Sequence, residues 1–154
     1  MKTIYTAIIA RLKEQVPALK WTDMNIGQLE TIERPSVMFP CALVTIKIPK
    51  ASDESHTGKT QNCVGQINIT LGFDVPERTS GNAPEANRLQ GLAAYDVIAD
   101  VYAALQGFYT EKFNSLSRTN QGEGTIKNGV FRYPISFSVE FEDATAETLP
   151  VPIE

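Results

Sequence analysis

The chain has 154 residues, of which 42% are hydrophobic and 21% charged, and its formal net charge is −4. That length suits one domain burying about 70% of its extended surface without metals or disulfides, and the balance of apolar and charged residues excludes a disordered chain. No run reaches the roughly 18 apolar residues of a membrane span; the acidic balance weighs against specific nucleic-acid binding, which needs concentrated Lys and Arg.

Ile4, Tyr5, Ile8, Ile9, Leu12 and Val16 recur at helical spacing, so residues 3 to 16 predict an amphipathic helix that Pro17 helps to stop. Arg11, Lys13 and Glu14 interrupt its apolar core and no small-residue cleavage pattern follows, so no signal peptide is read and intracellular synthesis is expected. ALKWTDMN is a short strand candidate with Leu19 and Trp21 on one face. Pro35 and Pro40 make IGQLETIERPSVMFP a traversing loop, with an extended piece expected near Glu30 to Glu33. CALVTIKI, 41 to 48, is rich in β-branched residues and apolar on both sides in its first half, which predicts a central strand. Residues 49 to 60, PKASDESHTGKT, have the composition of an exposed connection between the two arms of a hairpin.

The sharpest pattern follows in QNCVGQINITLGFDV. Cys63, Ile67, Ile69, Leu71, Phe73 and Val75 alternate with Asn62, Gln66, Asn68, Thr70 and Asp74, which predicts a strand with one packed and one polar face. After the loop PERTSGNAPEA, with Asn82 as a helix cap and Pro84 in the first turn, Leu89, Leu92, Tyr95, Ile98, Val101, Tyr102 and Leu105 form a broad stripe on a helix ended by Gly107. TEKFNSLSR is expected to add one or two helical turns with Phe113 and Leu116 inward. A short strand at Arg118 to Gln121 and a turn at Asn128-Gly129 precede VFRYPISFSVEFED, whose alternation copies that of residues 61 to 75. These two strands are expected to be antiparallel neighbours, with Pro134 at an edge or bulge. The acidic, proline-containing tail from about 143 to 154 is expected to fray unless it docks on another subunit. The fold class that results is α+β: a single mixed or largely antiparallel sheet with one face covered by two main helices.

No Gly-rich phosphate loop, paired-histidine metal motif, nucleophile elbow or dinucleotide fingerprint is present. His56, the sole histidine, has Asp53, Glu54 and Ser55 as neighbours by sequence only, and Glu30, Glu33 and the Asp53/Glu54 pair lack metal-ligand spacing. Cys41 and Cys63 are buried free thiols or a cross-strand disulfide. Trp21, Tyr5, Tyr95 and Tyr102 are assigned to packing rather than ligand stacking. This leaves no catalytic, metal or cofactor site, and a candidate assembly surface made of Lys50, Asp53, Glu54, His56 and Lys59 in the loop with Asn62, Gln66, Asn68 and Thr70 on the polar strand face. That face either meets solvent or pairs with another copy of the protein.

The opening IYTAIIARLKEQVPALKWTDMNIGQL, then FPCALVTI, a strand, a long helix ending in ALQG and a final strand YPISFSVEF carry a resemblance. Its phrases are Trp21 with Asn25 and Gly27 to Leu29, Phe39-Pro40 before the strand, and Leu105 to Gly107 at the helix end. In these the chain resembles the small tail-terminator and tail-completion proteins of tailed bacteriophages and prophages. The resemblance implies a non-enzymatic structural protein that assembles as a ring, commonly a hexamer, caps the tail tube and joins it to the head. Its implied partners are itself, the tail-tube protein and a head-completion protein. It would act in the host cytoplasm during assembly and then at the head–tail junction of the virion. The alternative is a small-ligand-binding or accessory soluble domain without catalysis.

Overall fold

In the computed structural model, which describes residues 1–33, 35–74, 82 and 84–150, the alternation of residues 61 to 74 becomes strand β3 (Gln61–Asp74). Cys63, Ile67, Ile69, Leu71 and Phe73 are buried on one side of it. β6 (Val130–Asp143) pairs antiparallel with β3 along its whole length, from Gln61 opposite Asp143 to Asp74 opposite Val130. Matching register brings Ile135, Phe137, Val139 and Phe141 onto the same buried side. β2 (Cys41–Asp53) lies antiparallel on the other flank of β3, and β1 (Trp21–Met24) runs parallel to the start of β2. β4 (Ser117–Gln121) and β5 (Thr125–Lys127) both pair antiparallel with β6. The result is one mixed, largely antiparallel six-stranded sheet in the order β1-β2-β3-β6-β4, with β5 alongside a different part of β6.

Helices α1 (Lys2–Gln15) and α2 (Glu85–Leu105) cover the apolar face. Ile4, Ile8, Leu12 and Val16 join Ala94, Val97, Ile98, Val101, Ala104 and Leu105 in one cluster with the sheet residues. Arg11 fastens the two helices: its Nε donates to the Ala104 carbonyl at 2.9 Å, and its guanidinium lies 5.0 Å from the centre of the Phe108 ring. Among the described residues no helix is long and apolar enough to cross a membrane.

The contact stripe of α2 is rotated from the expected one. Ala94, Val97, Ile98, Val101 and Leu105 face the sheet, whereas Leu92 and Tyr95 are 39% and 54% exposed. Small side chains at 94 and 104 permit close approach, and Tyr95 leans edge-on against Tyr133 at 6.4 Å instead of entering the core. Trp21 is also 36% exposed, while Tyr5 and Tyr102 pack half-buried against the cluster. Pro84, expected in the first turn, occupies the cap position of α2, where Asn82 was expected. Val75, the 76–81 loop and the Leu89 side chain lie outside the described residues.

Other departures follow from backbone pairing. β2 continues to Asp53, so the connection is 54–60 rather than 49–60; a bulge between Lys47 and Lys50 accommodates Pro49 without ending the strand. Gln28–Glu30 is a 3-10 turn and residues 31 to 33 bend, where an extended piece was expected near Glu30 to Glu33. Residues 110 to 116 make no helix, although Phe113 and Leu116 do point inward. Their backbone is held instead by bonds from Gly107 N to Leu116 O (2.8 Å), Leu116 N to Phe108 O (2.9 Å) and Asn114 N to Glu140 O (2.9 Å). Gly107, with φ +76°, does end α2.

Pro134 stands opposite Thr70 of β3 on one flank and, on the other, at an interruption in the pairing of β6, in keeping with the expected edge or bulge. Its carbonyl accepts from Gly122 N at 3.0 Å, and its ring nitrogen, facing the same way, points at the break between β4 and β5 where no donor is required. Asn128 (φ 50°) and Gly129 (φ 75°) form the tight turn between β5 and β6. After Asp143 the chain turns through a 3-10 segment, Thr145–Thr148, that hydrogen-bonds to this chain's own 54–60 connection; the expectation was a fraying tail.

Among the described residues the opposite face of the sheet is covered at one end only. Residues 25 to 33 and 35 to 40 cross it as a strap, and Leu29, Val37 and Phe39 pack on Cys41, Leu43 and Val130. Glu30 ties the strap down through ion pairs to Lys127 (2.9 Å) and Arg132, and Asn128 Nδ2 donates to the Thr31 carbonyl at 2.6 Å. Gly72 permits this closeness: a Cβ there would stand 2.7 Å from Cys41 Sγ and 3.1 Å from Leu29 Cδ1. Urea denaturation should therefore show Gly72→Ala less stable than wild type by about 1–3 kcal/mol, and an unchanged midpoint would contradict the packing described. Phe137→Ala, which empties the centre of the main cluster, should cost about 3–5 kcal/mol in the same measurement.

Candidate functional site

Because the odd-numbered residues of β3 are committed to the helices, its even-numbered residues line the outer face, and register selects their neighbours. Leu43, Thr70 and Pro134 form one rung across β2, β3 and β6; Thr45, Asn68 and Ser136 form the next, with Asn120 of β4 beyond; Lys47, Gln66 and Ser138 the one after, with Ser117 beyond. Apart from Lys47, the middle of this face is a ladder of uncharged amides and hydroxyls. Ser136 Oγ donates to Asn68 Oδ1 at 2.7 Å, joining β6 to β3 across the ladder.

Past these rungs β1 and β4 have ended, and β2, β3 and β6 continue alone as a three-stranded tongue. Its rungs are Lys50–Val64–Glu140 and Ser52–Asn62–Glu142. Together with Asn114 these residues line an open depression of about 580 Å³.

The tip is held by local bonds. Glu54 N donates to Thr60 O at 2.9 Å, Gln61 Nε2 to Asp53 Oδ1 at 2.9 Å, and Lys59 Nζ to the Leu149 carbonyl at 2.6 Å. The Thr60 hydroxyl donates to the Glu147 carboxylate.

Of the residues singled out from sequence, Lys50, Asn62, Gln66, Asn68 and Thr70 share the outer face. The others are dispersed. Asp53 is held across the hairpin by Gln61, Lys59 is tied to the C-terminal turn, and His56 is exposed at the tip. Glu54 stands beside Glu142. Thr45, Lys47, Ser136, Ser138, Glu140 and Glu142 were missed. The signal for the β6 residues was present, since Ser136, Ser138 and Glu140 alternate in the same phase as the polar residues of β3; joining the two sets requires the register.

The Glu54 carboxylate, through a hydrogen bond and then its charge, raises the pKa of Glu142. The hydroxyl and backbone N–H of Thr145 lower that of Asp143, with Oγ1 at 2.6 Å and N at 3.0 Å from Oδ1. Lys127 and then Arg132 lower that of Glu30. Burial pushes the Cys41 thiol up to about 11, leaving it uncharged at neutral pH, and burial also raises Cys63. The two cysteines are free thiols on opposite faces, Cys41 opposite Gly72 and Cys63 opposite Ala51, so the cross-strand disulfide is not formed. Among the described residues no group of three or more His, Cys, Asp and Glu is placed to hold a metal ion.

Compared with protein-family models and with curated proteins, the chain has no significant match to either.

The raised Glu142 sets a direction for stability against pH. A carboxyl whose pKa is higher in the folded state binds more protons there than in the unfolded chain, so its contribution to stability declines as pH rises from the ordinary Glu value, about 4.3, through the raised one. Glu142→Gln should therefore gain melting temperature relative to wild type at pH 7, with the gap shrinking near pH 4. Circular-dichroism melts at both pH values check this; a gap independent of pH would contradict it.

Proposed function

We propose that this chain is a structural assembly protein of the tail-terminator or tail-completion kind. It acts as a ring of copies, a hexamer by the resemblance, that caps the tail tube and joins it to the head. The observation that supports this reading is the outer sheet face, where Thr45, Asn68, Ser136, Gln66 and Ser138 form a polar surface on which Lys47, at the β2 flank, is the charged member of these rungs. Amides and hydroxyls lose less than ionised groups when removed from water, and they find partners readily on a facing protein surface. Charged residues are correspondingly depleted at the centres of protein interfaces. A protein whose work is contact needs no reaction centre. On this reading its partners are the tail-tube protein and a head-completion protein, met first in the host cytoplasm and then held at the head–tail junction.

The depression of about 580 Å³ favours a second reading, a site for a small polar ligand, because its volume falls in the range of about 300–1,000 Å³ typical of ligand pockets. Lys50, Glu111, Lys112, Glu140 and Glu142 stand among its lining residues beside Cys63, Val64, Phe113 and Phe141, a more charged wall than small-molecule sites usually have, and we rank this reading second.

Light scattering and negative-stain imaging of the purified chain, alone and with the tail-tube protein encoded in the same genome, test the proposal. A ring or a ring-capped tube end is the expected result. A monomer at every concentration that also fails to bind tubes would overturn it.

A further inference from the structure

The charges of the tongue and of the rung before it are sorted by flank up to the tip. From Thr45 to Ser52, β2 carries Lys47 and Lys50 and no acid; opposite it, from Ser136 to Glu142, β6 carries Glu140 and Glu142 and no base; the last rung, Asp53–Gln61–Asp143, is acidic on both flanks. Lys47, Lys50, Glu140 and Glu142 are all exposed and occupy the same outer face. In the rung Lys50–Val64–Glu140 the base and the acid are separated by β3, two strand spacings or roughly 9–10 Å between backbones. Among the described residues neither lysine forms an ion pair. Glu111 and Lys112, which also border the depression, offset one another. At the tip Asp53 is engaged by Gln61 and Glu54 stands at Glu142.

Among the described residues the β2 flank is unpaired along this stretch, and the β6 flank carries no strand, only the 111–114 segment at Glu140. β1 pairs with β2 only over Cys41 to Val44, and β4 pairs with β6 only over Ile135 to Ser138, after which a single bond from Asn114 N to Glu140 O continues that side. We propose that copies of this chain associate side by side through the tongue, the basic β2 flank of one copy against the acidic β6 flank of the next, so that Lys47 and Lys50 meet Glu140 and Glu142 of its neighbour. The inference rests on the ring reading and supplies its subunit contact.

The sorting also selects the symmetry. A two-fold contact through β2 would set lysines against lysines, and one through β6 would set carboxylates against carboxylates. Among edge-to-edge contacts only the head-to-tail arrangement opposes unlike charges, and repetition of such a contact closes into a ring when the rotation per subunit permits. Pro49 and the bulge between Lys47 and Lys50 interrupt the backbone ladder on the β2 flank, which discourages indiscriminate strand addition and leaves side-chain charge to choose the partner. Because the charges are exposed, their attraction is screened beyond about 8 Å at physiological salt, so added salt weakens the contact.

Two flank-reversed variants test the proposal: Lys47→Glu with Lys50→Glu, and Glu140→Lys with Glu142→Lys. All four positions are exposed, and far-ultraviolet circular dichroism checks that each variant folds. Under conditions where the wild type forms rings, light scattering should find each variant monomeric alone, while an equimolar mixture regains assembly because each reversed flank meets its complement on the other variant. Lys47→Arg with Lys50→Arg should assemble like the wild type. If either reversed variant assembles as well as the wild type, or the mixture stays monomeric, the flank contact is wrong and the ring reading stands. If the wild type itself never assembles and never binds tubes, the ring reading falls, and this inference with it.

Discussion

The pairing of β3 with β6 is the constraint on which the rest of the molecule depends. These two strands run side by side from Gln61 opposite Asp143 to Asp74 opposite Val130 with no break in register. The shared phase of their alternation decides everything placed on either face. On one side it assembles Ile67, Ile69, Leu71, Ile135 and Phe137 into a surface that only helices of matching shape can cover. On the other it lines up Asn68 with Ser136 and Gln66 with Ser138. A slip by one residue in either strand would exchange these faces, burying amides beneath the helices and exposing the core.

The outer face changes character along its length. At one end the strap over Cys41, Leu43 and Val130 makes it apolar and covered, and Gly72 provides the room. Apart from Lys47 on the β2 flank the middle is polar without charge, and the far end carries Lys50 on one flank and glutamates on the other. A strap fastened by Glu30 to Lys127 and Arg132 closes off the apolar end and leaves the polar middle and the tongue outside it. The proposed assembly role draws on this division. The buried, uncharged Cys41 thiol belongs with the structural end, since burial holds it far from any reactive form.

Where the chain's own pattern was short in range, it was readable. The alternation of β3 and β6, the helical spacing of α1 and the Asn128-Gly129 turn each depend on neighbouring residues alone. The rotation of α2 was not readable, because a broad apolar stripe is compatible with several contact lines and the choice of Ala94, Val97 and Ile98 over Leu92 and Tyr95 belongs to the surface beneath. The extent of β2 was hidden for a similar reason. Pro49, Ala51, Ser52 and Asp53 have the composition of a loop, yet beyond the bulge at Pro49 β3 offers Lys50 to Asp53 a row of hydrogen-bonding partners that outweighs local preference. Phe113 and Leu116 were recognisable as inward-facing, while their backbone obeys contacts with Phe108 and Glu140 that are distant in sequence or specific to the fold.

By itself, then, the sequence determined that two strands of matching phase exist, that each has a packed and a polar side, and that two helices are available to cover the packed one. Periodicity is a local property, and these features follow from it. The tertiary structure decided which polar residues became neighbours: Asn68 with Ser136, Lys50 on the rung of Glu140, Glu54 beside Glu142. Such juxtapositions depend on strand order and register, which arise from many weak contacts satisfied together. The same register that completes the core also separates the lysines of β2 from the glutamates of β6 by the width of β3, leaving opposite charges on opposite flanks of the tongue.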